Sequence, residues 1–487
     1  MSTISRRQFI ITGMAGASAA SVLVRSSEAQ GIQVRFNVLS AQGQGMLQKY
    51  TQAVKLMTQT ASGSPGSWVF QWYTHAVRGD SNKAAQLNAV FGPNPSPNKT
   101  LATQMWGTCQ PHFNSGNQPF FLPWHRMYVY YFERVCRKVL NDPTFSLPYW
   151  NYSSPNAAAI PAAFTVGNSP LFRPNRNPGV NQGQPINQGQ PQGTLSPVPA
   201  LSQTTYLPSG ANRGFNQMLD LGLHGAVHVL VGNRTNMGDV PWAANDPIFW
   251  LHHCNIDRLW ASWNKCHKNP DTPAWLNQTF TFADENAKPV TAKVANFETV
   301  QELAYTYDHF ETVPGCQTPP PPVLAPSPVV TLATATAIVL GEGATRATLT
   351  PTATSGTAVA VPPLGTRVQE MPATSHVYLT ISNYRAVAQP GVLYHLYLDL
   401  PAGTMASGGQ GHYVGSMNFF AVVPVPDHEG HHGGADTRVL SFEATDLVKR
   451  LKSEGRLTNT PTVTISPAGK PPTAAKPVIG EIALVEQ

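Results

Sequence analysis

The sequence predicts two unlike halves, a mainly α core built as a helix bundle with long loops and then a C-terminal β-sandwich. Three observations carry this expectation. Apolar residues recur at three- and four-residue spacing as far as about Cys316, a proline-rich break follows, and beyond it the apolar period falls to two. A chain of 487 residues is also too long for one ordinary core. The boundaries read from these shifts are a leader at 1–29, a helical domain at 30–316, a linker at 317–328 and a strand-rich domain at 329–487.

In the helical half, Met46, Tyr50, Val54 and Met57 mark one face of an amphipathic helix. Residues 124–140 set Val129, Phe132, Cys136 and Val139 along another face, and 226–231 and 248–263 read as further core helices. Residues 153–209 are dense in Pro, Asn, Gln and Gly. They twice carry an Asn-Gln-Gly-Gln-Pro run, at Asn181 and at Asn187, and read as a long surface loop. Six prolines in 317–328 make that stretch a linker. Beyond it 376–382, 392–400, 414–423, 462–466 and 479–485 read as strands. One helix, at about 446–454, is expected to be capped by Thr445 and stopped by Gly455.

The bulk numbers narrow the class. A hydrophobic share of 41% excludes wholesale disorder, and a net charge of +6 with no basic run argues against a nucleic-acid partner. Five cysteines are an odd number, so at least one is unpaired and the chain is no disulfide scaffold. Ser5-Arg6-Arg7-Gln8-Phe9-Ile10 is a twin-arginine pattern before a mildly apolar stretch, with small residues at Ser27 and Ala29 for a signal peptidase. Gly13 and Gly16 interrupt the stretch, whereas a span needs about 20 apolar residues. Export by the twin-arginine route to the periplasm or beyond is expected, with no membrane partner.

Histidines before the linker stand at 75, 112, 125, 224, 228, 252, 253, 267 and 309. His224 and His228 lie one helical turn apart, so both imidazoles can reach one metal ion. The same spacing occurs in zinc proteases, but those need Glu beside the first His, and here Gly225 follows.

Two longer segments are more specific. The run from Asp246 through Phe249, Trp250, His252, His253 and Asp257 to Trp260 resembles the copper-B signature of the tyrosinase/polyphenol oxidase family. Phe120-Phe121-Leu122-Pro123-Trp124-His125-Arg126, ending in Phe132-Glu133, resembles the copper-A signature, and Tyr305-Thr306-Tyr307-Asp308 resembles the motif that closes the family's core domain. The resemblance is to a bacterial-type member, and it implies two copper ions as a type 3 pair with dioxygen as co-substrate. Small phenolic molecules would be the substrates, with a copper chaperone as a further partner. Oxidation of o-diphenols, and more slowly of monophenols, to o-quinones is the implied activity. The same site in an o-aminophenol or specialised-metabolite oxidase, and a haemocyanin-like oxygen carrier, are the alternatives.

Carried over residue by residue, the resemblance gives His75, His112 and His125 to one copper and His224, His228 and His253 to the other. His252 is left to packing. His112 lies thirteen residues before His125, a longer gap than is usual in the family. Cys109 is read either as a thioether partner of His112, or as a buried thiol, or as half of a disulfide. Asp246 and Asp257 are candidate carboxylates for orienting imidazoles or for helix ends, and Asp246 before Pro247 reads equally as a helix cap. Val240 stands where plant catechol oxidases place a phenylalanine, and Gly225 where several efficient tyrosinases have a water-orienting asparagine. Asp220 stands in the place of the glutamate that holds this water in plant enzymes. Resemblance to plant polyphenol oxidases further implies that the C-terminal domain covers the mouth of the site and keeps it latent. The glycine-flanked His428-Glu429-Gly430-His431-His432 reads as a solvated loop.

Overall fold

The computed structural model describes residues 32–76, 82–109, 120–233, 235–316, 328–352, 362–372, 374–404, 409–420, 422 and 439–487. The leader, the histidine cluster at 428–432, His112 and all but Pro328 of the linker lie outside the described residues.

Helices dominate up to Trp263. Ala41–Gln59 begins where the Ser40 side chain accepts the Gly43 amide, and it buries Leu47, Tyr50, Val54 and Met57. Phe121–Leu140 runs for 20 residues and ends at Asn141 in the left-handed region. Ile248–Trp263 is buried along its whole length, which explains why its apolar pattern shows no polar face. Phe132 and Trp250 stack where these two helices meet.

Beneath that contact lies a buried ion network. Arg35 Nε donates to Glu133 (2.9 Å) and its Nη1 to Asp257 (3.1 Å), while Arg126, Tyr305 and Tyr307 all donate to the same Asp257 carboxylate. Gln33–Arg35 pairs in parallel with Tyr305–Tyr307, which brings these groups together. Asp257 is therefore committed to arginines and tyrosines and orients no imidazole. Asp246 likewise binds Arg176 through both carboxylate oxygens and accepts the Ile248 amide at the helix start.

Residues 153–209 are not a detached surface loop. Short turns wrap them over the core, and Phe164, Leu171, Val180, Ile186 and Leu195 are buried at intervals of six to nine residues. One disulfide, Cys266–Cys316, ties the end of the central helix to the end of the helical half. Cys109, Cys136 and Cys254 are free and buried, so the disulfide reading of Cys109 fails.

The second half holds two antiparallel sheets among the described residues. One orders Tyr413–Met417, Tyr394–Leu398, Thr462–Pro467 and Thr345–Thr348, and the other Val439–Glu443, Val377–Ser382, Val478–Glu486, Val330–Val339 and Thr350–Pro351. Leu396, Leu398, Val463 and Ile465 of the first share one apolar cluster with Leu379, Ile381, Ile482 and Leu484 of the second. Tyr394–Leu398 is buried at every position, so its alternation does not mark a solvent face. The helix Thr445–Ser453 ends before Gly455 in the left-handed region, but Thr445 is its first residue and not its cap. The Thr445 hydroxyl accepts the Val377 amide instead.

The halves touch along a defined seam. Gln217 Nε2 donates to Val439 O (2.8 Å), Gln487 Oε1 accepts the Ala211 amide (2.6 Å), and Leu221 joins the apolar cluster of the sheets. No helix among the described residues is long and apolar enough to cross a membrane.

Candidate metal centre

Each histidine is delivered by a different local device. Trp68–Tyr73 stops at Thr74, whose hydroxyl folds back to Phe70 O (2.8 Å), and His75 follows at once. His125 sits one turn into Phe121–Leu140, with Nδ1 on Phe121 O (2.8 Å). His224 closes a π-helical turn, Leu219–His224, a geometry that recurs at functional sites, and Gly225–Val231 carries His228 onward. Ile248–Trp263 presents His252 and His253.

The rings converge. His125 and His253 stack with centroids 4.3 Å apart, His224 lies 4.5 Å from His228 and 5.1 Å from His253, and His75 lies 5.9 Å from His125. All are buried. The enclosed space is about 10 Å³, and it is lined by His75, Cys109, His125, His224, His228, Val240, Phe249, His253 and Phe420. That is room for about one water molecule.

Backbone carbonyls fix the outward nitrogens of His75, His125 and His228, and Asp220 meets that of His224. His75 Nδ1 meets Val240 O (3.1 Å), His228 Nδ1 meets Met237 O (2.8 Å), and His224 Nδ1 meets both Asp220 O (3.1 Å) and the Asp220 carboxylate (3.2 Å). These contacts set the tautomer, leaving Nε2 as the inward lone pair. Burial, reinforced by neighbouring imidazoles, pushes His125, His228, His252 and His253 well below the ordinary histidine value, so they stay neutral.

A metal ion fits these donors. His228 Nε2 and both nitrogens of His253 are buried without a hydrogen-bond partner, which is costly unless a Lewis acid meets them. Ligand atoms of His224, His228, His252 and His253 all lie within 4.8 Å of one another, and those of His75, Cys109 and His125 form a second such group. Neutral imidazoles in such sets suit copper, zinc or iron. Cys109 Sγ stands 3.3 Å from His75 Nε2 and 3.7 Å from His125 Nε2, and burial pushes its thiol well up, so it remains protonated in the metal-free protein.

Among the other expected site residues, Val240 lines the cavity. Asp220 is buried behind His224 and does not itself line the cavity. Gly225 faces Asn418 of the C-terminal half. Sequence reasoning did not single out Phe420, whose ring stacks on His228 at 4.2 Å and lies 5.6 Å from His224. It is the second phenylalanine of an ordinary-looking Asn418-Phe419-Phe420 run, and only the fold shows where it points.

The common central domain of tyrosinase matches residues 65–214 and 192–266, and the polyphenol oxidase middle domain matches 269–320. The chain carries a tyrosinase-family domain. Residues 329–487 match a domain of unknown function. A tyrosinase of Hahella sp. (strain CCB-MM4) is 31% identical over 297 residues, covering 53% of this chain and 59% of that protein. Aureusidin synthase of Antirrhinum majus is 30% identical over 315 residues, covering 57% and 52%. The chain thus spans little more than half the length of these relatives. In structure it is similar to a latent aurone synthase (polyphenol oxidase), with a TM-score of 0.59, 20% identity, and coverage of 94% of this chain and 90% of that one. At that identity the likeness speaks for the fold, a helical core followed by a sheet region.

Proposed function

We propose that this tyrosinase-family chain is a dicopper phenol oxidase that uses dioxygen to convert o-diphenols, and more slowly monophenols, into o-quinones. The observation that carries the reading is two groups of buried donors, His224, His228, His252 and His253 in one and His75, Cys109 and His125 in the other, that meet at one small cavity. His224, His228 and His253 would hold one copper, and His75, His125 and His112 the other. Bound copper supplies the redox chemistry, relaying electrons from the phenol to dioxygen.

The chain's own groups set the rest. Backbone carbonyls fix ring orientation at His75, His125 and His228, and Asp220 positions His224 through Nδ1. Val240 lines the cavity beside His75, while the Phe249 ring packs with its centroid 4.1 Å from that of His253 and helps exclude water. No carboxylate lines the cavity among the described residues, so no carboxylate there is in place to take the proton that a monophenol must lose. A catechol ionises more readily.

We read the C-terminal half as a β-sandwich whose Phe420 occupies the face of His228 that a substrate ring would use, which keeps the intact chain latent. Export by the twin-arginine route, copper loading by a chaperone and a bacterial type of enzyme remain part of this proposal. The test compares initial rates on 4-methylcatechol and tyrosol, with oxygen uptake, for copper-loaded protein cut within 317–328 and freed of its C-terminal half. Fast catechol oxidation and slow, lagging tyrosol oxidation are expected. Equal rates would overturn the order, and oxygen binding without quinone would favour a carrier.

A further inference from the structure

The position after His224 has a structural use of its own. A Cβ placed on Gly225 would lie 2.6 Å from Asn418 Oδ1, 2.9 Å from Nδ2 and 3.0 Å from Cγ, closer than real side chains pack. The Asn418 carboxamide therefore occupies the space that any side chain at 225 would need. That carboxamide is buried and committed at both ends. Its Nδ2 donates to Leu221 O (2.8 Å), across the seam between the halves, and its Oδ1 accepts the Phe420 amide (3.0 Å). Leu221 itself packs into the apolar cluster of the sheets. Phe420 is thus held against His228 by a side chain two residues earlier, anchored in a notch that exists because residue 225 has no Cβ. Apolar contacts of Phe420 and Leu393 with Ala226, Val229 and Val240 continue the same surface.

We propose that Gly225 and Asn418 form the latch that keeps Phe420 in the site, so that glycine at 225 serves domain docking, whatever it costs in proton handling. The proposal rests on the latency reading above and adds the residues that set it. Asn418 is a positioning residue, acting through Phe420. Asn418→Ala loses two buried hydrogen bonds, and the one to Leu221 O, which crosses the seam, shifts the open-to-closed ratio by roughly two- to ten-fold. Gly225→Ala forces the carboxamide out by contact alone.

The experiment uses the full, copper-loaded chain. For wild type, Asn418→Ala, Gly225→Ala and Phe420→Ala, the rate on 4-methylcatechol is measured uncut and after cleavage within 317–328 with removal of the C-terminal half. Each variant is expressed as its own cut-to-uncut ratio, which cancels any effect of residue 225 on catalysis. Hydrogen–deuterium exchange of the peptide spanning 413–422 is followed in parallel. A several-fold ratio is expected for wild type and a ratio near one for both latch variants, with faster exchange in 413–422. Phe420→Ala should also approach one, with slower exchange than the latch variants, because Asn418 still holds the segment. A wild-type ratio of one would sink the latency reading itself. A raised wild-type ratio with Asn418→Ala and Gly225→Ala unchanged in ratio and exchange would sink the latch alone.

Discussion

The helical half and the sheet half are held together by different physics. In the first, charges are buried: Arg35, Arg126, Glu133 and Asp257 sit in one network under the histidine-bearing helices, and Arg176–Asp246 pins the start of the central helix. In the second, ion pairs among the described residues, such as His376–Glu443 and Lys470–Glu342, have exposed partners, and the core is an apolar cluster between sheets. A buried ion network tolerates little displacement, because moving one partner strands another. The half that must hold imidazoles in register is thus braced by rigid charge geometry. The half that covers them is built from apolar layers and, among the described residues, reaches the cavity through Phe420.

The largest effect is expected from breaking the brace. Burial alone would raise the Asp257 carboxyl, but Arg126 and Arg35 overcome that and hold it below its ordinary value. Asp257→Ala leaves two buried guanidiniums and two tyrosine hydroxyls without their shared acceptor, and should cost about 3–5 kcal/mol of stability in the metal-free protein. Chemical denaturation of the variant measures this directly. A loss below about 1 kcal/mol would mean that the network does not brace the helices.

A smaller effect sharpens the contrast from the other side. Burial pushes His395, beside Ser416 in the covering sheet, down to about 4. An unfolded histidine takes up its proton near 6.5, so the folded state binds fewer protons than the unfolded one between those values. The stability is complete above about 6.5 and is lost as pH falls towards 4, by on the order of 2 kcal/mol after allowance for partial screening. Thermal unfolding of the sheet signal from pH 7 to 4, compared between wild type and His395→Gln, reads it. Identical pH slopes in the two would remove His395 from the explanation.

Much of this architecture was legible because its signals are dense. Ile248–Trp263 and Phe121–Leu140 announce themselves by long apolar runs with histidines at fixed offsets, and Val377–Ser382 by strict alternation. Sparse signals were misread. The anchors of 153–209 are single apolar residues among Pro, Gly and Gln, spaced too widely for any period to show, so an ordered wrap looked like a free loop. Asp246 at the start of the central helix does meet the Ile248 amide, as its position before Pro247 suggests, but the arginine partners of Asp257 and Asp246 lie 222, 131 and 70 residues away, beyond any local pattern. Asn418 and Phe420 act on residues almost 200 positions earlier, and no local pattern encodes such a contact.

The most direct test of the account is the copper content of the reconstituted full chain, for wild type, His228→Ala and His125→Ala, by metal analysis with protein quantified independently. Two coppers per chain in wild type are expected, falling to one in each variant, with oxidation of 4-methylcatechol by the cut enzyme reduced by at least about 100-fold in both. A single copper in the wild type, or two in either variant, would contradict a centre made of two separate imidazole sets.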